Sequence, residues 1–497
     1  MNLNKLFESI KLKNIVGHIS SEEINNITQD TRTVQPGDVF ICITGEDFDG
    51  HSYAEQAIEK GAIAIVAEKP LEIDTAGVPV VYVNDSRKIM AILANHFYDY
   101  PSEKMSLIGV TGTNGKTTVT HVINELLKLA GKKTGLIGTN GMHIDDEFLP
   151  VTNTTPGNLT LQSNMKKMVD KGVTVCSLEV SSHSLVQGRT WGIDMDVAVL
   201  TNVTHEHLDY HKTMAGYRHA KELLFTQLGN NRKGENGKVA VINKDDEAFE
   251  AYNQATPAEV ISYSTKDETA DFFATNIKYD TDKTTFDLIV AGETYPVETQ
   301  MIGEYNVSNT LAALGAVYAL SLPLSEVTPL LKEVTLVEGR LELLSRTDDY
   351  QVYIDYAHSP DAIEKVLTTL KPITKGRLIN IIGCQGSRDM EKRPVMGKMA
   401  TEHADYVVFT TDSPELEDQA SIIEMILAGV EKDNYTYIED RKQAMYETIG
   451  NAQPGDTIVI TGRGHEETYR AGGETIYFLD AAVAQEAIDY RNSQESN

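Results

Sequence analysis

Cysteine is scarce in this chain. Three residues in 497, Cys42, Cys176 and Cys384, lie far apart with no Cys-x-x-Cys spacing. That excludes a disulfide framework and a cysteine metal clip, and it fits a reducing compartment. Cys42 and Cys176 sit in apolar runs and are expected in the core. Positive charge is also short: 44 Lys and Arg stand against 73 Asp and Glu, a formal net charge of −29. So acidic a chain is not built to hold nucleic acid or an anionic membrane through its overall field. An anionic ligand must instead be gripped by local loops and a few cations. No run approaches the roughly 18 apolar residues of a membrane span. The start, Met1-Asn-Leu-Asn-Lys-Leu-Phe7, lacks the apolar region of a secretory signal. The expectation is a cytoplasmic protein without a membrane span, and there is no internal repeat or low-complexity segment.

What is present is ordinary globular composition, 41% hydrophobic and 24% charged, with length for about three domains. The class is α/β. Residues 1–100 alternate strands (Val39–Ile43, Ala62–Val66, Val78–Val83) with helices (Tyr53–Lys60, Ser86–Tyr98). The polar stretch Tyr98–Lys104 reads as a linker. Residues 101–335 carry near-continuous apolar strands at Thr134–Gly138, Val173–Val180, Val197–Val203 and Val239–Asn243, the pattern of a parallel sheet buried on both faces. Ala270–Met301 alternates and predicts an antiparallel excursion. Residues 336–497 predict a doubly wound, Rossmann-like unit with strands at Tyr350–Tyr356, Arg377–Ile382, Tyr406–Thr410 and Thr457–Thr461, and a frayed tail from Arg491.

The chain is organised around Ser106-Leu-Ile-Gly-Val-Thr-Gly-Thr-Asn-Gly-Lys-Thr-Thr118. An apolar strand turns through Gly112, Thr113, Asn114 and Gly115 into a helical pattern from Thr118 to Leu129. Strand, glycine turn and helix make a phosphate loop: backbone N–H groups close on phosphate oxygens at a helix N-terminus. Lys116 is placed for the β/γ-phosphates and the Thr117 hydroxyl for Mg2+. Val110 occupies the first glycine position of the longer loop pattern, so this is a short variant.

Two more motifs sit where ligands bind in such sheets, past the carboxyl ends of strands. Leu178-Glu-Val-Ser-Ser-His183 places Glu179 at one strand end. Thr201-Asn-Val-Thr-His-Glu-His-Leu-Asp-Tyr-His211 follows another. Glu179 and His207 could meet beside a bound nucleotide; the zinc reading of His205, His207 and His211 and the bland one of loop histidines stay open. Lys221, in the helical pattern Tyr217–Phe225, would by itself be a solvated lysine. Asn306, after Gly303, reads either as a helix cap or as an amide reading an adenine edge.

Together these motifs resemble the Mur ligase family of ATP-dependent amide-forming enzymes over essentially the whole chain. The resemblance rests on Gly112–Thr118, Glu179–His183, Asn202–Thr204 with His207–Asp209, His219–Lys221, Gly303–Asn306, Glu338–Arg340 and Asp355–His358. Asn153–Pro156, Ser181–His183 with Gln187–Arg189, Arg388–Asp389 and Gly464–Glu466 narrow it to the tripeptide-synthetase branch. It implies three domains: 1–100 for the uridine nucleotide, a P-loop ATPase at 101–335, and a mobile amino-acid-binding domain at 336–497. The implied reaction phosphorylates the D-glutamate carboxylate of UDP-N-acetylmuramoyl-L-Ala-D-Glu with ATP, and a free amino acid's amine attacks the acyl phosphate.

By the same resemblance Lys116, Glu179, His207 and Lys221 carry the chemistry. Thr117, Glu179, His207 and a carbamylated Lys221 hold two Mg2+ ions, and Gly112 to Thr118, Asn306, Arg340 and Asp355 bind ATP. Thr31, Asn153, Thr154, Thr155, Ser181, Gln187 and Arg189 bind the UDP-muramoyl dipeptide. Arg388, Asp412, Ser413, Pro414, Glu415, Gly462 and Glu466 bind the amino acid. The chain is expected to act as a monomer. It departs from the family pattern at Thr31, Gly157, Glu206 and Arg463.

Thr411-Asp-Ser-Pro-Glu415 bears on which amino acid is added. Diaminopimelate-adding members resemble Asp-Asn-Pro-Arg there, the arginine taking the distal carboxylate. Glu415 replaces that cation with an anion, so an ammonium-ended side chain suits Asp412, Glu415 and Glu466 better. L-lysine is predicted, ahead of L-ornithine or diaminopimelate. The rivals are a folylpolyglutamate-synthetase-like ligase, against which the muramoyl motifs speak, and a non-catalytic nucleotide-binding paralogue, against which Lys116, Glu179, His207 and Lys221 speak.

Overall fold

The computed structural model describes every residue except 46–47, 152, 234–236, 281–282, 347–348 and 496–497. Three large sheets follow one another along the chain. The first has five strands, ordered Asn14–Val16, Val80–Tyr82, Ala64–Ala67, Val39–Ile41 and Ile27–Thr28; only the first pair is antiparallel. The third has six, ordered Glu342–Arg346, Tyr350–Asp355, Asp456–Thr461, Leu378–Ile382, Tyr406–Phe409 and Tyr435–Tyr437, parallel but for the first pair.

Eleven strands make the central sheet. Its middle is parallel: Glu259–Ser264, Val239–Asn243, Val197–Leu200, Ser106–Thr111, Val175–Glu179, Thr134–Gly138. The Ala270–Met301 region supplies three strands at one edge, running back and forth as the alternation predicts, and Gly141–Leu149 adds a hairpin at the other. Side chains of Ser106–Thr111 alternate between two cores, Leu107 on one face and Ile108 and Val110 on the other. Burial on both faces explains why these strands read as continuous apolar runs. Two helices cover the Ile108 face. Lys116–Leu129 packs Val119, Val122, Ile123 and Leu126, fully buried, each contributing about 1.5–3 kcal/mol of apolar burial. Glu304–Ala319 is apolar almost all round because it is sandwiched between that helix and the sheet.

Some elements differ from the sequence reading. The phosphate-loop helix starts at Lys116 rather than Thr118, because Gly115, at φ +88°, already turns the chain into it. The C-terminus is helical from Asp480 to Glu495 where a frayed tail from Arg491 is expected; residues 496–497 lie outside the described residues. The Arg491 guanidinium bonds the Ile449 and Ala452 carbonyls and lies over the Tyr350 ring, which pins that last turn. The hairpin Thr468–Tyr477 and strand Tyr435–Tyr437 carry no clear apolar alternation and are missed. All three cysteines are buried. Among the described residues no helix is long and apolar enough to cross a membrane.

Candidate active site

Parallel register puts Glu179 opposite Val110 and Leu200 opposite Thr111, so three motif-bearing strand ends open on one side. The phosphate loop is clamped by the third motif. Thr113 N–H donates to the Asn202 carbonyl (2.7 Å) and Asn114 N–H to Asn202 Oδ1 (3.0 Å). The Thr201 hydroxyl returns to the Asn114 carbonyl (2.6 Å). Gly112 passes so close that a Cβ there would lie 1.8 Å from Thr201 Oγ1, which is why glycine is required.

Beneath the loop, Lys116 Nζ donates to the Gly112 and Thr113 carbonyls (2.9 and 2.8 Å). Lys221 Nζ donates to the same Gly112 carbonyl (2.7 Å) and lies over the Tyr217 ring. Lys221 is 1% exposed, not the solvated lysine that its helical segment alone suggests. Burial, reinforced by the nearby Lys116 charge, holds its amine well below the usual lysine range; burial also lowers Lys116. A neutral amine is what carbamylation by CO2 requires.

Glu179 is buried. Its carboxylate accepts from the Thr117 hydroxyl (3.1 Å), the Thr139 N–H (2.8 Å) and the Thr139 hydroxyl (3.2 Å). Two hard oxygen donors in contact, Thr117 Oγ1 and Glu179 Oε2, fit a Mg2+ site. His207, at φ +56°, caps a short helix, Leu208–His211. Its ring meets His183 edge-on, 4.9 Å between centroids, and His183 also contacts Tyr210 and His211. Burial lowers His183, His207 and His211 to about 4, so all three are neutral near pH 7 and have lone pairs to offer. Among the described residues no group of three or more His, Cys, Asp and Glu side chains is arranged to hold a metal ion, so the three-histidine zinc reading finds no support.

The expected dipeptide-binding residues converge. The Thr155 hydroxyl donates to the Glu179 carbonyl (2.8 Å) and accepts from Ser181 N–H (3.0 Å). Arg189 donates to the Thr155 carbonyl (2.7 Å) and forks onto Gln187 Oε1 (3.0 and 2.7 Å). Thr154 meets Thr139 through their hydroxyls (3.0 Å), and Asn153 precedes it in the same loop. Arg87 donates to the Gln187 carbonyl (3.5 Å) and the Thr44 carbonyl (3.1 Å). With Thr44, Lys69 and Trp191 it lines a cavity of about 500 Å³ between the first sheet's loops and this motif. Sequence reasoning missed Arg87 and Trp191, which belong to no contiguous motif. Thr31 does not line that cavity; its carbonyl accepts from Lys60 (2.7 Å) beside the Asp30–Arg32 pair.

The third sheet closes over the loop. Arg340 Nη2 donates to Thr117 Oγ1 (3.2 Å), and its guanidinium lies over Tyr356. Asn114 Nδ2 donates to Asp361 Oδ2 (2.8 Å), and His358 faces Glu206 (3.5 Å). Burial alone would raise Glu206, but His358, His207 and Lys116 hold it well below the carboxylate range. Asp355 spends both oxygens on backbone, taking Leu341 N–H and Ala357 N–H (2.7 Å each), so it braces the Arg340 turn. Asn306 is no helix cap: Gly303 takes that place, and the buried amide donates to the Ile302 carbonyl beside a narrow pocket shared with Thr118 and Arg340.

On the far side, Arg388 is exposed in the loop after Leu378–Ile382. Ser413 and Glu415 are stitched to the Thr468–Tyr477 hairpin through Arg470's backbone, and Pro414 between them is buried. Gly462 leaves room for Asp412: a Cβ would lie 2.8 Å from its carboxylate. The cluster of anions expected here is only partly real. Asp412 is buried facing Arg463 (3.8 Å), which with Arg441 and Asp480 forms a buried charge network. Burial raises Asp412, and burial with the Asp412 charge raises Glu466, which accepts from the Tyr356 hydroxyl (3.2 Å). Among the described residues Glu415 forms no ion pair with an arginine.

Residues 23–98 match the Mur ligase family catalytic domain, 110–317 the Mur ligase middle domain, and 339–464 the Mur ligase glutamate ligase domain. The chain is 45% identical over 473 residues to the UDP-N-acetylmuramoyl-L-alanyl-D-glutamate–2,6-diaminopimelate ligase of Bacillus cereus, covering 95% of this chain and 96% of that one. It is 46% identical over 471 residues to the protein of the same name from Geobacillus thermodenitrificans, covering 94% and 96%. A solved structure of a ligase of that name superposes with a TM-score of 0.71 at 31% identity, covering 99% of this chain and all of that one. The amino acid in these names is 2,6-diaminopimelate; the preference for L-lysine drawn from Glu415 finds no support in them.

Proposed function

The chain belongs to the Mur ligase family, and on that footing we propose that it joins an amino acid to the D-glutamate of UDP-N-acetylmuramoyl-L-Ala-D-Glu in peptidoglycan synthesis. The γ-phosphoryl group of ATP passes to the glutamate side-chain carboxylate, giving an acyl phosphate and ADP. The incoming amine attacks that carbonyl, phosphate leaves with the bonding pair, and the amine proton is released. Such transfers depend on positioning and charge neutralisation more than on covalent help. Lys116 supplies a fixed cation under the loop. Thr117 and Glu179 would hold one Mg2+, with His207 and a carbamylated Lys221 at a second; bound Mg2+ offsets charge on the phosphates. Arg340 and Asn306 face the nucleotide, and Thr155, Gln187 and Arg189 orient the dipeptide. The domain division at 1–100, 101–335 and 336–497, a cytoplasmic location and a monomeric state belong to the same proposal.

The observation that carries it is the meeting of Lys116 and Lys221 on one carbonyl beside the Thr117–Glu179 pair, with Arg189 and Thr155 adjoining. For the amino acid, the relatives' names favour 2,6-diaminopimelate, and the Glu415 carboxylate favours L-lysine as a second reading. An assay with ATP, the UDP-muramoyl dipeptide and a panel of diaminopimelate, L-lysine, L-ornithine and glutamate, read by product mass, tests both. Ligation of one diamino acid is expected. Nucleotide binding with no joining of any panel member would overturn the proposal and favour a non-catalytic paralogue.

A further inference from the structure

Two loops without regular structure frame the amino-acid side of the site, 385–391 and 411–417. Each holds a non-glycine residue at positive φ, Ser387 at +53° and Glu415 at +57°. Backbone in that region persists only where its surroundings over-determine it. The loops touch directly: Gly386 N–H donates to the Ser413 carbonyl (2.8 Å), and a Cβ on Gly386 would lie 2.0 Å from the Pro414 oxygen.

One ion pair holds both. Arg393, fully buried in the helix Lys392–His403, forks onto Glu417, Nη1 to Oε2 at 2.8 Å and Nη2 to Oε1 at 3.0 Å. The same Nη2 donates to the Gln385 carbonyl (3.1 Å), and Glu417 Oε1 also accepts from Ser387 N–H. A carboxylate of the second loop therefore holds the backbone of the first, and a guanidinium beneath bonds to both. The planar fork meets both Glu417 oxygens in parallel and still has a hydrogen left for the Gln385 carbonyl; a lysine carries its three donors on one nitrogen and cannot match that two-point geometry.

We infer that Glu417 and Arg393 are positioning residues: they fix the distance between Arg388 and the Asp412–Glu415 segment and so govern recognition of the incoming amino acid. The inference rests on the ligase reading above. The backbone of Arg388 follows Ser387 directly, so a shift of Ser387 moves Arg388 relative to Glu415. Misplacement by about 1 Å costs on the order of 100-fold in such sites.

The test is steady-state kinetics of the full-length protein and of Glu417→Gln, which keeps the size and removes the charge, with Glu417→Asp beside it. For whichever diamino acid the wild type joins, Glu417→Gln is expected to raise its KM about 10- to 100-fold. The KM values for ATP and the UDP-muramoyl dipeptide stay within about twofold, and Glu417→Asp falls between. Should Glu417→Gln not fold, Arg393→Lys carries the same expectation. An unchanged amino-acid KM, or an equal rise in all three KM values, would overturn the inference and leave the pair as a structural tie. Failure of the wild type to join any amino acid would instead sink the ligase reading.

Discussion

The phosphate-loop side of the site and the amino-acid side are built differently. On the first, the loop Gly112–Thr117, Glu179 and Asn202 come from short contiguous motifs at the ends of parallel strands that register brings together, and Lys221 reaches the same loop from the helix Met214–Thr226. The lysines there, Lys116 and Lys221, have amines pushed down by burial. On the second, the groups come from separated loops held by arginines, Arg393 under one junction and Arg463 with Arg441 under another. The difference is one of tolerance. Phosphoryl transfer needs the same geometry whatever amino acid is added, so a rigid sheet edge serves it. Recognition of an amino acid depends on the side chains that face it, and loops allow those to be replaced without disturbing the sheet.

Removing the loop cation should break the first side outright. Lys116→Ala is expected to lower kcat by at least about 1000-fold while the melting temperature holds, because positioned charge is the main resource in phosphoryl transfer. A melting temperature that collapses with the activity would mean Lys116 is there for the fold. Next in size is Lys221→Arg. An arginine stays protonated and cannot take up CO2, so a loss of about 100-fold is expected, together with loss of the carbamate signal from isotope-labelled bicarbonate. Near-wild-type turnover would remove carbamylation from the account.

Contacts between the two sides should matter less. Asp361→Ala frees the Asn114 amide from its partner on the helix Pro360–Leu370, and a fall in kcat of about fivefold is expected from looser closure. Glu415→Arg sharpens the comparison on the second side. It restores a cation for a distal carboxylate and should shift the diaminopimelate-to-lysine ratio of kcat/KM toward diaminopimelate by about tenfold. An unmoved ratio would show that Glu415 points away from the substrate.

The smallest effect concerns acid stability. Burial and the Arg340 charge lower His465 to about 4, below its ordinary 6.5. The unfolded chain takes up this proton as pH falls through 6.5, while the folded one refuses it until about 4. His465 therefore favours the folded state above 6.5, and that contribution is lost between 6.5 and 4. His465→Asn should flatten the fall of melting temperature across that window by about one proton's worth; an unchanged slope would show the ring to be solvated.

Much of this was legible in the residues. The strand, glycine turn and lysine at 106–118 and the strand-end Glu179 follow from apolar runs and motif spacing, because strand ends in parallel sheets converge whatever lies between them; Thr155, Gln187 and Arg189 came only from the family resemblance. Missing from the sequence were partners distant along the chain: Arg87 reaching Gln187, Asp361 reaching Asn114, Arg491 securing the last helix. The charge around Asp412, Glu415 and Glu466, the proposed amino-acid pocket, is hidden for the same reason. Asp412 and Glu466 look like free anions in sequence, but burial against Arg463 and Arg441 removes most of that field.

By itself, then, the order of residues determined which segments become strands and which chemistry gathers at their ends, since both depend on local pattern and on backbone hydrogen bonding that repeats everywhere. Only the folded arrangement decided which charges remain effective. Desolvation and cross-chain pairing depend on neighbours hundreds of residues away, and they turned Lys221 from a surface cation into a buried amine and Asp412 from an open carboxylate into half of a hidden pair.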